Sequence, residues 1–186
     1  MILASHNSMT YLKPKYWVLR LFRWLYRCQT KTIEEQYEAG VRYFDFRVSF
    51  DHVGIPRFRH GLVVFKTSDV FILDILKWLN EKNDVIIRMI FEKSFHPEDA
   101  TIFRVFCREI QEAYKNITFT CGENVKTKEV LYDFGTTVKM PVYEKYSSVI
   151  GSKLNGLWPW KFAKKNNEKF INEYKNKDCY LMIDFV

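Results

Sequence analysis

Two histidines stand where a chain could do proton chemistry. His6 lies in "ILASHNSMTYL" (2–12), where an apolar run stops and Ser5, Asn7 and Ser8 crowd round the imidazole; His60 lies in "RFRHGLVVF", followed at once by Gly61. An imidazole titrates near neutrality, so one ring can be poised neutral and another protonated, which suits proton transfer in either direction. Three further stretches add charge: Asp45 and Arg47 in "VRYFDFRV", Arg88 and Glu92 in "DVIIRMIFE", and Asp184 in "CYLMIDFV". Each has a bland reading when taken singly, His6 as a histidine in a surface turn and Asp45 with Arg47 as a structural ion pair. As a set, two histidines, arginine and carboxylates all near strand ends describe a site.

The elements that must carry these residues alternate between strand and helix. Residues 1–5 read as a strand, 32–39 as a helix with Thr32 and Glu35 as a capping box and Gly40 as its stop, and 41–48 as a strand. Next come a short strand at 62–65, an amphipathic helix at 68–81, a β-branched strand at 84–92, a long helix at 97–115 and a strand at 116–121. The later part reads as a short helix near "TKEVLYDF", a strand-like "TVKMPVY", a Trp/Pro loop "NGLWPWKF", a lysine-rich helix and a last strand at 179–186. Alternation of this kind predicts an α/β fold with a parallel sheet, open or closed. Seven or eight strands favour a TIM-type (β/α) barrel, and since such barrels usually take roughly 250 residues, this one must be compact or incomplete.

Side-chain alternation sharpens the picture. Along 41–48, Tyr43, Asp45 and Arg47 share one face of the strand and Phe44, Phe46 and Val48 the other; Arg88 and Glu92 share a face of the strand at 84–92, as do Tyr180, Met182 and Asp184 of the last. Charged residues near the carboxyl ends of barrel strands read as site residues.

Composition bounds the rest. The 186 residues suit a single domain spanning 1–186, with 47% hydrophobic and 17% aromatic content, ample for a core. The formal charge of +7 favours anionic partners, whether phosphorylated substrates, acidic lipid surfaces or nucleic acid. Cys28, Cys107, Cys121 and Cys179 are scattered, without the spacing of a zinc site or the density of a disulfide scaffold, and read as ordinary thiols. No apolar run reaches the length of a transmembrane helix. The chain opens on its first strand with no room for a signal peptide, so a cytoplasmic or peripheral-membrane location is expected, or a secreted one if a signal has been removed.

The stretches "SHNSMTY", "TIEEQYEAGVRYFDFRV" and "FRHG", in this order and spacing, resemble the X region of phosphatidylinositol-specific phospholipase C, most of all its bacterial, metal-independent type. The likeness covers about the first 95 residues and returns in "LMIDFV". It implies a distorted barrel that cleaves the phosphodiester of an inositol phospholipid in two histidine-dependent steps. His6 would be the general base acting on the inositol 2-hydroxyl and His60 the general acid for the departing diacylglycerol oxygen, giving inositol 1,2-cyclic phosphate. Arg47 would meet the non-bridging phosphate oxygens; calcium-dependent members carry an acidic residue there, so the resemblance implies neither metal nor cofactor. Asp45 would orient Arg47 or contact the site, and Asp184 would hold His6 in its productive tautomer. Asn7 departs from the bacterial pattern, which has Asp after the first histidine, and follows the calcium-dependent group. Asn7, Arg88 and Glu92 are candidate substrate contacts.

Between the first strand and the first capped helix lies "KPKYWVLRLFRWLYRC" (13–28), in which Trp17, Leu21, Trp24 and Cys28 recur at helical spacing opposite Arg20, Arg23 and Arg27. A basic helix bearing tryptophans fits a membrane-surface element; a helix packed on the barrel with a solvated basic face fits equally. Trp158 in "LWPWKF" would be a second apolar contact at the mouth, or with Trp160 would close the barrel. The expected partners are thus a phospholipid substrate and a membrane surface, with the protein a monomer. The alternatives are a lipid-binding module without turnover, which retention of His6, His60 and Arg47 opposes, and a phosphodiesterase for another phosphodiester. A nucleic-acid binder lacks any recognised motif, since the late lysines read as a solvated helix face.

Overall fold

A computed structural model describes residues 1–92, 99–125, 128–132, 142–143 and 159–186. Strand β1 (Ile2–Ser5) lies between β2 (Val41–Phe50) and β9 (Tyr180–Ile183), both parallel to it, so the first and last strands of the chain are neighbours. On the far side of β2 run β5 (Val85–Phe91) and then β6 (Ile117–Val125), again parallel; β8 (Val142–Tyr143) lies parallel beyond β9. The sheet order is β7-β6-β5-β2-β1-β9-β8, with β7 (Lys128–Leu131) turning back antiparallel on β6. Among the described residues nothing pairs β7 with β8, so the sheet stays open there. This is the TIM-type α/β architecture expected, as an incomplete barrel.

Local sequence explains the helices. Helix α2 (Ile33–Glu38) starts with the predicted capping box: the Thr32 hydroxyl accepts the Glu35 N–H at 3.3 Å and the Glu35 carboxylate accepts the Thr32 N–H at 2.7 Å. It ends where Gly40 adopts a φ of +96°, a conformation that costs glycine little. Helix α3 (Phe71–Asn80) buries Ile72, Ile75, Leu76 and Leu79, one stripe at helical spacing. Helix α4 (Asp99–Ala113) does the same with Phe103, Cys107 and Ile110. These stripes meet Phe44, Phe46, Val48, Ile87 and Met89 from the outward face of β2 and β5. Inside the barrel a small cluster of Ala4, Tyr43 and Met182, flanked by Ile86 and Tyr180, forms a floor.

Four expectations change. Residues 56–60, assigned to no element from the sequence, pair with β2 as strand β3 (Pro56–His60), which turns at Gly61 into β4 (Val63–Val64), so His60 ends a hairpin strand. The helix expected near "TKEVLYDF" is strand β7, because β6 offers it a free edge. Helix α5 (Pro159–Tyr174) begins inside the stretch read as a Trp/Pro loop, with Pro159 at the first helical position, where proline is well tolerated. The single amphipathic helix over 13–28 is a 3₁₀ helix (Trp17–Phe22) followed by the one-turn α1 (Arg23–Tyr26). Neither has a side-chain cap or an acidic first turn to support a longer helix. Past Tyr26 the chain is drawn inward: Thr10 Oγ1 accepts the backbone N–H of both Cys28 and Gln29 at 2.9 Å. Most of "TVKMPVY" and all of Trp158 lie outside the described residues. Among the described residues, no helix is long and apolar enough to cross a membrane.

Candidate active site

Above the floor of the barrel, the carboxyl ends of β1, β2, β5 and β9 bring His6, Asn7, Asp45, Arg47, Arg88, Glu92 and Asp184 together, and the β3 hairpin adds His60. The placement of His6 begins in its backbone, whose N–H bonds to the Ile183 carbonyl at 3.0 Å as β1 runs out against β9. Its ring Nδ1 lies 2.7 Å from Asp184 Oδ1. A carboxylate can only accept there, which fixes the proton on Nδ1 and leaves Nε2 as the basic nitrogen. The Asn7 amide lies 2.9 Å from Nε2. Asn7 itself has a φ of +45°, a region asparagine enters more readily than most residues, and its N–H bonds to Asp45 Oδ2 at 3.0 Å.

Asp45 is fully buried and shared by two cations: Arg47 Nε at 3.1 Å and Arg88 Nη1 at 2.7 Å. Burial alone would raise its carboxyl, but the Arg47 and Arg88 guanidiniums outweigh burial and hold it well below the usual carboxylate range. It is a fixed anion that positions two arginines, with Oδ2 4.0 Å from His6 Nε2. Arg88 is thus anchored on Asp45. Beneath it the buried Tyr43 hydroxyl is pushed up to about 12 by burial, so this tyrosine stays neutral. Arg47 continues to Glu92, whose Oε1 is 3.9 Å from Nη1. Glu92 in turn accepts the Gly61 N–H at 2.6 Å and so ties the strand carrying His60 to β5.

His60 donates from Nδ1 to the Tyr26 carbonyl at 2.7 Å, which leaves Nε2 as its basic nitrogen. The two rings face each other edge to face with centroids 6.3 Å apart, too far to bond directly and near enough for both to reach one bound group. Burial lowers the pKa of both; Asp184 partly opposes this at His6, and the neighbouring His6 charge adds to it at His60. The arrangement can take a proton on one side of a bound anion, give one on the other, and hold the anion's charge against arginine. Burial together with specific charge partners is the mark of functional groups.

Several supporting residues had escaped sequence reasoning. Gln36 Oε1 accepts from Ser5 Oγ at 2.6 Å while its Nε2 donates to the Ser8 carbonyl at 2.9 Å. Ser8 Oγ accepts the Asp45 N–H at 2.9 Å and contacts Ser5 Oγ. Gln29 Nε2 donates to the carbonyls of His6 and Ile183, each at 3.1 Å. Cys28, read as an ordinary thiol, packs against Asn7 and Asp184. The only available signal was the density of small polar residues in 5–10, and nothing in the sequence marks Gln29 or Gln36 as buried. Trp17 and Trp24 lie on the exposed segment, 72% and 50% accessible, among Tyr16, Leu21 and Leu25.

No protein-family model matches the sequence. Over 141 residues the chain is 31% identical to PI-PLC X domain-containing protein 2 of Homo sapiens, covering 72% of this chain and 43% of that protein. The chain therefore spans less than half the length of this curated relative. Among solved structures it is similar to phosphatidylinositol-specific phospholipase C from Listeria monocytogenes, with a TM-score of 0.66 at 17% identity over 99% of this chain and 87% of that one. A variant of the Staphylococcus aureus phosphatidylinositol-specific phospholipase C gives a TM-score of 0.64 at 15% identity, over 99% and 85%. At these identities the structures speak for the fold.

Proposed function

As a relative of the phosphatidylinositol-specific phospholipase C X-domain family, this chain, we propose, is one catalytic unit that cleaves the phosphodiester of an inositol phospholipid without a metal. The observation that carries this reading is the pairing of His6, its Nδ1 bonded to Asp184 and its Nε2 turned to the site, with His60 6.3 Å across from it. His6 Nε2 takes the proton of the inositol 2-hydroxyl, whose oxygen attacks phosphorus. The bond from phosphorus to the diacylglycerol oxygen breaks as His60 protonates that oxygen. Inositol 1,2-cyclic phosphate and diacylglycerol result. Arg47, held on Asp45, stabilises the charge that builds on the phosphate oxygens, a contribution that grows in a site shielded from water. The hydroxyl must first displace the Asn7 amide from Nε2. The exposed Trp17, Leu21 and Trp24 beside Arg20 and Arg23 seat the chain on the membrane surface, apolar groups entering the interface and the cations meeting acidic lipid.

Phosphorus NMR of phosphatidylinositol in mixed micelles, run with the protein and a metal chelator, tests the proposal. A cyclic inositol phosphate signal is expected. Absence of product with and without calcium rejects cleavage of this lipid and leaves another phosphodiester, or lipid binding without turnover, as the reading.

A further inference from the structure

We propose that His6, Cys28 and Asp184 form a binding site for a soft divalent cation of the zinc type, and that filling it switches the site off. One ligand atom from each residue lies within 4.8 Å of the other two, and all three residues are buried. The donors are a thiol, an imidazole and a carboxylate, a set that suits zinc or cobalt and not calcium or magnesium, which prefer oxygen alone. Tetrahedral zinc holds such atoms about 3.2 to 3.8 Å apart, so the 2.7 Å contact of His6 Nδ1 with Asp184 must open a little and the contacts to Cys28, within 4.8 Å, close by at most about an ångström.

The frame behind the three side chains is built. The Phe185 N–H bonds to the Cys28 carbonyl at 2.7 Å, and the His6 N–H to the Ile183 carbonyl at 3.0 Å, so the residues on either side of Asp184 are tied to the other two ligands. Phe185 accepts a φ of +53° in this frame, an uncommon conformation for a bulky side chain. A second observation points the same way. The Asn7 amide touches both His6 Nε2, at 2.9 Å, and Cys28 Sγ, at 3.7 Å, while its Oδ1 is buried without a hydrogen-bond partner. Turning the amide over would set that oxygen against Nε2, where it can accept the proton that this nitrogen carries once Nδ1 binds the cation.

Protons balance simply. The Cys28 thiol becomes a thiolate and releases one proton, His6 binds through Nδ1 and moves its proton to Nε2, and no electrons transfer. Nε2 then carries hydrogen and cannot accept one, so the base is lost. This consequence rests on the proposed role of His6, whereas the binding does not. Burial pushes the Cys28 thiol well up, so without a cation it stays protonated.

Cobalt(II) alone, added to chelator-treated protein, tests the binding optically. The expected result is a single thiolate-to-cobalt charge-transfer band with the strong visible bands of tetrahedral cobalt, saturating at one ion per chain with release of one proton. Zinc should displace the band, Cys28→Ser and Cys28→Ala should abolish it with the circular dichroism unchanged, and Cys179→Ser should keep it. No band in the intact protein, or a band that survives in Cys28→Ser, overturns the site; should the Cys28 variants not fold, the proton count and zinc displacement in the intact chain decide. In a lipid-cleavage assay zinc should inhibit the intact protein more strongly than Cys28→Ser by more than the roughly 10- to 100-fold that second-shell changes cost. Equal inhibition of the two with the cobalt band present would refute the switch and leave the site; a chain without lipid activity would still be judged by cobalt.

Discussion

His6 and His60 face the same space but are held by different kinds of structure. His6 is 4% exposed and rests on the core: β9 takes its backbone, Asp184 its ring, and Gln29 its carbonyl, while Gln36 and Ser8 brace the turn beyond it. His60 hangs on the Tyr26 carbonyl, at the end of the segment that exposes Trp17, Leu21 and Trp24, and its neighbour Leu62 is 87% exposed. On the proposed reading the proton acceptor is preorganised by the barrel, whereas the orientation of the donor depends on the exposed segment that ends at Tyr26. Damage to the two halves should therefore differ in kind as well as size.

The largest effects are expected at the rings. His6→Ala and His60→Ala should each lower kcat by roughly 10²- to 10⁴-fold, read by release of cyclic phosphate. Asp184→Asn, which keeps the shape but permits the wrong tautomer, should cost on the order of 10²- to 10⁴-fold in kcat with little change in KM. Equal activity for this variant would remove the distinction between a core-held base and a surface-held acid.

Stability separates the halves next. Gln36→Ala removes the amide oxygen that accepts from Ser5 Oγ and the amide donor to the Ser8 and Lys31 carbonyls, and should destabilise by about 1–3 kcal/mol in urea unfolding. Leu62→Ala, on the His60 side, should stay within about 0.5 kcal/mol. Similar losses at both positions would break the comparison.

The pH profile is a finer test. Activity needs neutral His6 with protonated His60, and both rings titrate below the ordinary 6.5 because of burial. The pair's upper apparent pKa then lies on the acidic side, so kcat/KM should peak below about pH 6.5 and fall as pH rises. The unfolded chain binds more protons than the folded one as pH drops below 6.5, so stability falls in the same direction, and falls further as the depressed Asp45 is protonated. A maximum above pH 7 would contradict these environments. Smallest in its effect on the fold, Trp17→Ala with Trp24→Ala should weaken sedimentation with acidic vesicles while changing unfolding by less than about 0.5 kcal/mol; unchanged vesicle binding would separate His60 from any membrane surface.

Much of this was legible in the sequence. Strict alternation placed Asp45 and Arg47 on the inner face of β2 and Phe44 and Phe46 in the outer core, because a strand's period leaves no choice. The α2 capping box was equally local. What escaped depends on distant partners. Residues 56–60 become a strand only because β2 extends far enough to pair with them, and Gln29 and Gln36 are buried because their amides meet carbonyls of the His6 turn. Cys28 reaches Asp184 across the whole length of the chain. The 13–28 segment misled by its periodicity, since Trp17 and Cys28 share a helical face only if the helix continues, and Thr10 pulls its end into the site.

The division of labour between the two histidines is tested most directly by comparing His6→Ala and His60→Ala on phosphatidylinositol and on an inositol phosphodiester with a nitrophenolate leaving group, which departs without a proton. The account predicts that His60→Ala recovers most of its activity on the activated substrate while His6→Ala stays as impaired as on the lipid. Equal impairment of His60→Ala on both substrates, or recovery of His6→Ala alone, would contradict it.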